Sequence, residues 1–373
     1  MIRLGIIGCG RISDLHAQAY LDHPGATITA VADTDPGNLA TRGAAWGVPE
    51  SARHQDYRDL LARSDVDAVE VLVPHHLHAP ITLDAMNAGK HVSLQKPMAL
   101  SMDDATTMVK AGHDLGVTFK VFENFVFYPP VVRARELIEN GEIGELLSIR
   151  VKSNPGWSPT AWDVPAAASA WRIDEAKCGG GPLVFDDGHH KFAIAWYFLG
   201  LADRVHAFIG STMDGLLDAP SMVSWTHPDG QVGSLEVVYS PDLQLHTEQY
   251  AQDDRVEITG TRGVIWITRG HGRMLDVPPV ILYRDGETRG FSDMPTGWET
   301  SFLNSGRHFV DALLGGTAPS LTGEEGRDVL SFALAAQESS RTGGPVSLAS
   351  GDRRPVGPLP GREPGQPRET GLG

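Results

Sequence analysis

Three groups of residues in this chain have types and spacings that could do chemistry. The first is Gly8-Cys9-Gly10-Arg11-Ile12-Ser13, which directly follows a β-branched run and opens a helical one. In that context a glycine-rich turn lets backbone amides approach a pyrophosphate at a helix N-terminus, where orphan N–H groups and the helix dipole favour an anion. Ser13 stands where the third glycine of such a turn is usual. Asp33 closes the next β-branched run, 23 residues beyond Gly10, near the ~20 at which an acid meets the ribose hydroxyls of NAD. A carboxylate there repels a 2′-phosphate, so NAD is expected over NADP, with Arg42 able to soften the preference. Gly8, Gly10, Arg11, Ile12 and Asp33 are the cofactor-binding candidates of this turn. A plain tight turn is the alternative; the strand-turn-helix context and the acid argue against it.

The second group is Gln95-Lys96-Pro97, just past a predicted strand. A lysine at the carboxyl end of a parallel strand points into the crevice where such sheets bind ligands. Its ammonium can hold a substrate hydroxyl and stabilise alkoxide as hydride leaves. The third is Asp186-Asp187-Gly188-His189-His190 after Gly179-Gly180-Gly181. Asp186 and His190 are i and i+4, on one face of a first helical turn. A histidine there takes a hydroxyl proton near neutral pH, and the carboxylate orients it or the substrate. Taken singly, Lys96-Pro97 is a surface turn and Asp186 a helix N-cap. Trp157, Trp162 and Trp171 could stack on a sugar ring or pack in a core. Arg150, Lys152, Arg172, Lys177 and Lys191 bracket the same region, as a pocket for a substrate carboxylate or sulfonate or as solvated cations.

These residues need elements to position them. In the first third, short β-branched runs alternate with helical patterns, the signature of parallel strands joined by crossover helices. Strands are predicted over 2–7, 27–32, 68–73, 91–94 and 117–122, with helices over 12–21, 36–46, 80–88 and 102–115. Beyond 122 strands follow one another through tight turns, as in an antiparallel sheet: 146–153, 205–209, 222–226, 232–239, 256–258 and 264–267. Helices over 192–199, 302–314 and 324–340 complete the pattern. The expected fold is α/β: an N-terminal Rossmann doubly wound parallel sheet over 1–122, then an α+β domain with a mostly antiparallel open sheet over 123–345. A Gly/Pro-rich flexible tail is expected over 346–373.

The 373 residues carry 31 Lys plus Arg against 47 Asp plus Glu, a formal net charge of −16, which argues against a nucleic-acid partner. No apolar run approaches the ~18 residues that span a bilayer, so no membrane partner is expected. Two cysteines, Cys9 and Cys178, make no disulfide framework. With no signal-peptide pattern at the N-terminus, a mature cytoplasmic protein is expected.

The set Gly8-Cys9-Gly10, Pro74 to His78, Gln95-Lys96-Pro97 and Asp186-x-Gly-x-His190 resembles the Gfo/Idh/MocA family of glucose-fructose oxidoreductase, inositol dehydrogenase and rhizopine-catabolism oxidoreductase. The resemblance runs over nearly the whole chain up to the tail. It implies a nicotinamide-dependent oxidoreductase acting on a secondary hydroxyl of a sugar, sugar acid or cyclitol, with Lys96, Asp186 and His190 as catalytic trio. Lys96 would polarise the hydroxyl, His190 would serve as acid/base, and Asp186 would orient substrate and imidazole. It also implies cofactor contacts from Pro74, His75, His78, Gln95, Lys96 and Asn124, substrate contacts near the trio, and a homodimer or homotetramer. His75, His76, His78 and His91 could suggest a metal, yet the resemblance needs none and none is assigned. The chain departs from the family at Gln95, where Glu is usual, at His75 for Asn, and at Val126 for Arg. A second reading is a redox-assisted glycoside hydrolase or lyase, in which transient ring oxidation permits elimination. It needs an extra base from Tyr128, His189 or His246.

Overall fold

Runs that are apolar on both faces build a sheet covered by helices on both sides. In the computed structural model, which describes residues 1–163 and 170–348, six parallel strands form such a sheet. They are β1 (Ile2–Ile7), β2 (Ala26–Ala32), β3 (Arg53–His54), β4 (Ala68–Val71), β5 (His91–Gln95) and β6 (Phe119–Phe122), in the order β3-β2-β1-β4-β5-β6. That is the doubly wound order, whose switch point between β1 and β4 opens a ligand crevice at the carboxyl ends of the strands. The crossovers are α1 (Ser13–Leu21), α2 (Pro36–Ala45), α3 (Tyr57–Leu61), α4 (His78–Asn87) and α5 (Met102–Leu115). Their ends follow local chemistry: Asp35 caps α2 by accepting from Gly37 N and Asn38 N, and Ser101 caps α5, which stops at Gly116 with φ 65°.

After α6 (Pro129–Glu139) comes a nine-stranded sheet. Its members are β7 (Leu146–Pro155), β8 (Arg204–Ile209), β9 (Ser221–Thr226), β10 (Val232–Val237), β11 (Gln252–Gly260), β12 (Gly263–Ile267), β13 (Val280–Arg284), β14 (Glu287–Phe291) and β15 (Val346–Ser347). The order is β14-β13-β12-β11-β7-β10-β9-β8-β15, antiparallel except where β10 runs parallel to β7. Residues alternate strictly between buried and exposed along β9, so one face is packed and the other open. The packed face carries α7 (Gly188–Leu199), buried over Gly188 to Phe198, as an all-round apolar helix must be. Two C-terminal helices, α8 (Glu299–Gly315) and α9 (Gly323–Thr342), return to the nucleotide-binding sheet: α8 lies on α1, and α9 runs between α5, β6 and β8. A Cβ on Gly326 would meet Val121 Cγ2 at 2.3 Å, so glycine sets how closely α9 approaches β6.

Several elements lacked a periodic signal. β3 is two residues long and α3 five, too short for a repeat to show. The β13–β14 hairpin turns on Asp285-Gly286, both at positive φ (53° and 84°), the Asp-Gly signal of a two-residue hairpin. Val346 and Ser347, expected in the flexible tail, instead pair with Val205 and Arg204 of β8; residues 349–373 of that tail lie outside the described residues.

Gly8 sits at φ 98°, and a Cβ there would lie 2.2 Å from Leu72 O. Gly8→Ala is therefore expected to cost about 1–3 kcal/mol from the dihedral alone, read as a lowered urea midpoint, together with weaker NAD binding. An unchanged midpoint would contradict this turn geometry.

Candidate active site

The glycine turn is built as its sequence suggests. Cys9 N donates to Asp33 Oδ2 at 2.6 Å and Asp35 N to Asp33 Oδ1 at 2.7 Å, which locks the carboxylate at the end of β2. Helix α1 has no side-chain N-cap, and the amides of Gly10, Arg11 and Ile12 have no partner among the described residues. Unpaired donors at a helix N-terminus, with a fixed acid ahead of them, fit a dinucleotide pyrophosphate and ribose. Arg42 pairs with Asp14 at 2.8 Å. Arg11 lies 4.7 Å over the Trp162 ring, which packs against Tyr250 and Trp298, so a cation–π contact joins the nucleotide turn to the second sheet's loops.

Lys96, at the end of β5, donates from Nζ to Asp186 O at 2.7 Å and to Asp186 Oδ1 at 2.8 Å. Arg172 Nε donates to Asp186 Oδ2 at 3.0 Å while its guanidinium lies 4.3 Å over Trp171. His75 donates from Nδ1 to Cys178 O at 2.8 Å and sets Nε2 3.6 Å from Asp186 Oδ1, with its ring edge-on to Trp171. Burial opposes ionisation of Asp186, but Lys96, His75 and Arg172 outweigh it and hold the carboxyl well below the usual carboxylate range. The loop carrying Asp186 is pinned from behind, where Leu183 N and Val184 N both donate to the Asp218 carboxylate at 2.7 Å.

His190 is oriented differently from the sequence expectation. Residues Pro182–Asp186 form a π turn and α7 begins only at Gly188, so Asp186 and His190 do not share a regular helix face. The imidazole goes to Glu123 instead: Nδ1 lies 2.7 Å and 2.8 Å from its two oxygens. Burial, then Lys96 and Lys191, push His190 well below the ordinary histidine range, while burial raises Glu123. A Glu123 carboxylate would take the Nδ1 proton of the neutral ring, and Nε2 would then be its acceptor. Sequence reading missed Glu123, although it follows β6 as Lys96 follows β5, and the same rule about carboxyl ends would have flagged it.

Other candidates are placed elsewhere. Tyr128 is fully buried and donates to Thr296 O at 2.9 Å, which makes it a core residue and removes it as substrate contact or extra base. Both ring nitrogens of His78 face backbone carbonyls, Pro97 O at 2.7 Å and Val73 O at 2.9 Å, so none remains for a cofactor. Lys152 and Arg150 point from β7 to the open sheet face and pair with Glu236 and Glu257. Lys177 is paired with Asp174, and Lys191 is buried between Asp187 and Asp254, so Arg172 is what survives of the basic pocket. Gln95 donates to His16 Nε2 at 2.9 Å, and His16 in turn meets Glu70, which also holds Tyr20. Asn124 donates to Ser301 Oγ at 2.7 Å. His189 is buried, and its Nδ1 has no hydrogen-bond partner among the described residues. Trp157 is half-exposed on a loop and His246 is exposed, while His91 accepts from Thr118 N. Pro74 opens the turn that carries His75.

Residues 2–123 match the family model described as an oxidoreductase family with NAD-binding Rossmann fold, and residues 131–266 match the GFO/IDH/MocA C-terminal domain. The chain belongs to the Gfo/Idh/MocA family. It is similar to D-apiose dehydrogenase from Paraburkholderia graminis, 27% identical over 92% of this chain and 89% of that protein. It is similar also to the NAD-dependent scyllo-inositol 2-dehydrogenase of Bacillus subtilis, 24% identical over 93% and 96%. A solved levoglucosan dehydrogenase in complex with NADH and levoglucosan superposes with a TM-score of 0.78 at 23% identity, covering 94% of this chain and 100% of that one. In this Gfo/Idh/MocA chain the first sheet is thus the NAD-binding domain of an oxidoreductase.

The buried histidines set a pH dependence of stability. Burial lowers His75 to about 3, His78 to about 4 and His189 to about 3, against ~6.5 in the unfolded chain. Below pH ~6.5 the unfolded state binds more protons at these three residues, so their contribution to stability should be level above that pH and fall below it, by up to ~1.4 kcal/mol per pH unit per histidine. Urea midpoints across this range test it, and His189→Asn should flatten the slope by one histidine's share.

Proposed function

We propose that the chain is an NAD-dependent dehydrogenase or reductase acting on a secondary hydroxyl, or the matching keto group, of a sugar, sugar acid or cyclitol. The observation that carries this reading is the Glu123–His190 pair facing the Lys96–Asp186 pair at the carboxyl ends of β5 and β6, in the crevice the nucleotide turn also borders. Bound NAD would supply the hydride acceptor. His190 Nε2 takes the hydroxyl proton, since Nδ1 is committed to Glu123. Lys96, held by Asp186, places its ammonium where negative charge develops on the substrate oxygen. Asp186 positions Lys96 and Arg172 rather than the imidazole. In the reductive direction His190 returns the proton to the alkoxide. Polyhydroxylated rings in the names of the relatives, D-apiose and scyllo-inositol, support that substrate class, and the locked Asp33 supports NAD over NADP.

The buried thiols Cys9 and Cys178 support a reducing, cytoplasmic setting. The open face of the nine-stranded sheet exposes Phe208, Met222, Val232 and Tyr283, an apolar surface suited to a second copy in a homodimer or homotetramer. Light scattering should therefore give a mass of two or four chains; a single-chain mass would refute this.

Activity is tested by offering free aldoses, sugar acids and cyclitols with NAD and recording nicotinamide reduction. Lys96→Ala should abolish turnover while NAD binding, read by fluorescence titration, stays near wild type. Glu123→Gln, which removes the carboxylate behind His190, should lower kcat by roughly 10²–10⁴-fold. Wild-type turnover by both variants would place the chemistry elsewhere.

A further inference from the structure

The cleft holds a second imidazole backed by a carboxylate, one the reaction above does not use. His271 follows β12 and sets Nδ1 3.1 Å from Asp254 Oδ2 on β11. Asp254 is itself built in: Gln252 Nε2 donates to both its oxygens, at 2.9 Å and 3.2 Å, and the buried Lys191 ammonium lies 3.4 Å away. Lys191 also binds Asp187 at 3.0 Å. Burial opposes ionisation of Asp254, but Lys191, His271 and Gln252 outweigh it, so the group facing the ring is a carboxylate. A carboxylate at Nδ1 takes the ring proton on that side, and Nε2 is the nitrogen turned away from it.

The other histidines show what a purely structural imidazole looks like here. His16 meets Glu70 at Nδ1 and Gln95 at Nε2, and both nitrogens of His78 face backbone carbonyls. His190 and His271 are each backed at Nδ1 by a carboxylate, with no protein partner at Nε2 among the described residues. Neither Nε2 is among the polar atoms sealed from solvent without a partner. The two rings lie 6.3 Å apart, with Phe125 within about 5 Å of each. Tyr250 and Trp298 wall the His271 side at 5.7 Å and 4.7 Å, and Trp162 links that wall to Arg11 of the nucleotide turn.

We propose that Asp254–His271 is a second substrate-binding dyad: His271 Nε2 accepts the hydrogen bond of a hydroxyl beside the one that His190 deprotonates, so the site selects polyols carrying both. The proposal rests on the dehydrogenase reading for His190. A pocket acceptor left without its hydroxyl penalises the deoxy analogue far more than a lost apolar contact would. Discrimination against that analogue is thus the signature of His271 contacting substrate.

The test uses full-length, NAD-loaded protein as wild type, His271→Phe and His271→Gln. The probes are D-glucose, D-xylose and myo-inositol with their monodeoxy counterparts. For the polyol that is oxidised, His271→Phe should lower kcat/KM at least 100-fold, yet change it less than about 5-fold for one deoxy counterpart. His271→Gln, which can offer an amide oxygen near the Nε2 position, should recover much of the loss. Equal losses on the polyol and every deoxy form, or no loss, would overturn the proposal. Tryptophan emission, with Trp298 against His271, reads binding without turnover. If no probe is oxidised, the dehydrogenase reading fails, whereas an emission change on polyol binding that His271→Phe abolishes would still support the dyad. Binding to His271→Phe as tight as to wild type would overturn it.

Discussion

A buried ammonium must find a carboxylate, and in this protein that requirement joins the two sheets. Lys96 stands at the end of a strand of the nucleotide-binding sheet and Asp186 on the turn before α7 of the second. Their side chains are only 11% and 9% exposed, so separating them would leave an uncompensated charge in a low-dielectric cleft, among the costlier defects a fold can carry. The second oxygen of Asp186 takes Arg172, and His75 faces the first, so one carboxylate gathers three nitrogen-bearing side chains from three segments. The pinning of residues 183 and 184 by Asp218 and the return of α8 and α9 to the first sheet hold this junction in register.

Around that ion pair the histidines divide by how their nitrogens are satisfied. Those with protein atoms at both nitrogens, His16 and His78, tie elements together. His190 and His271 instead have a carboxyl group at Nδ1 and no protein partner at Nε2 among the described residues. The same residue type does both jobs, and the difference lies in whether Nε2 has a protein partner, as it does in His16 through Gln95.

Much of the scaffold was legible in local pattern. Alternating β-branched runs and helical periods located the six parallel strands, apart from the two-residue β3, because parallel strands buried on both faces must be apolar. The glycine turn and Asp33 were readable because their function depends on backbone geometry within one βαβ unit. Helix α5 was readable to the residue, since Ser101 and Gly116 cap it with their own chemistry. The hairpin at Asp285-Gly286 carried a signal that went unread, whereas β15 carried none, its two residues being strand only because β8 lies beside them.

What the sequence determined by itself was therefore the order of elements and the nucleotide turn, with Lys96, Asp186 and His190 as candidates for chemistry. Only the tertiary structure decided which partner each would have. Glu123 reaches His190 across 67 residues and Lys96 reaches Asp186 across 90, distances at which helical or strand periodicity says nothing. It also decided that Tyr128 is core, that Lys152 faces outward, and that His271 stands beside His190. Propensity and spacing act over a few residues, whereas hydrogen-bond partners and burial are set by how whole elements pack.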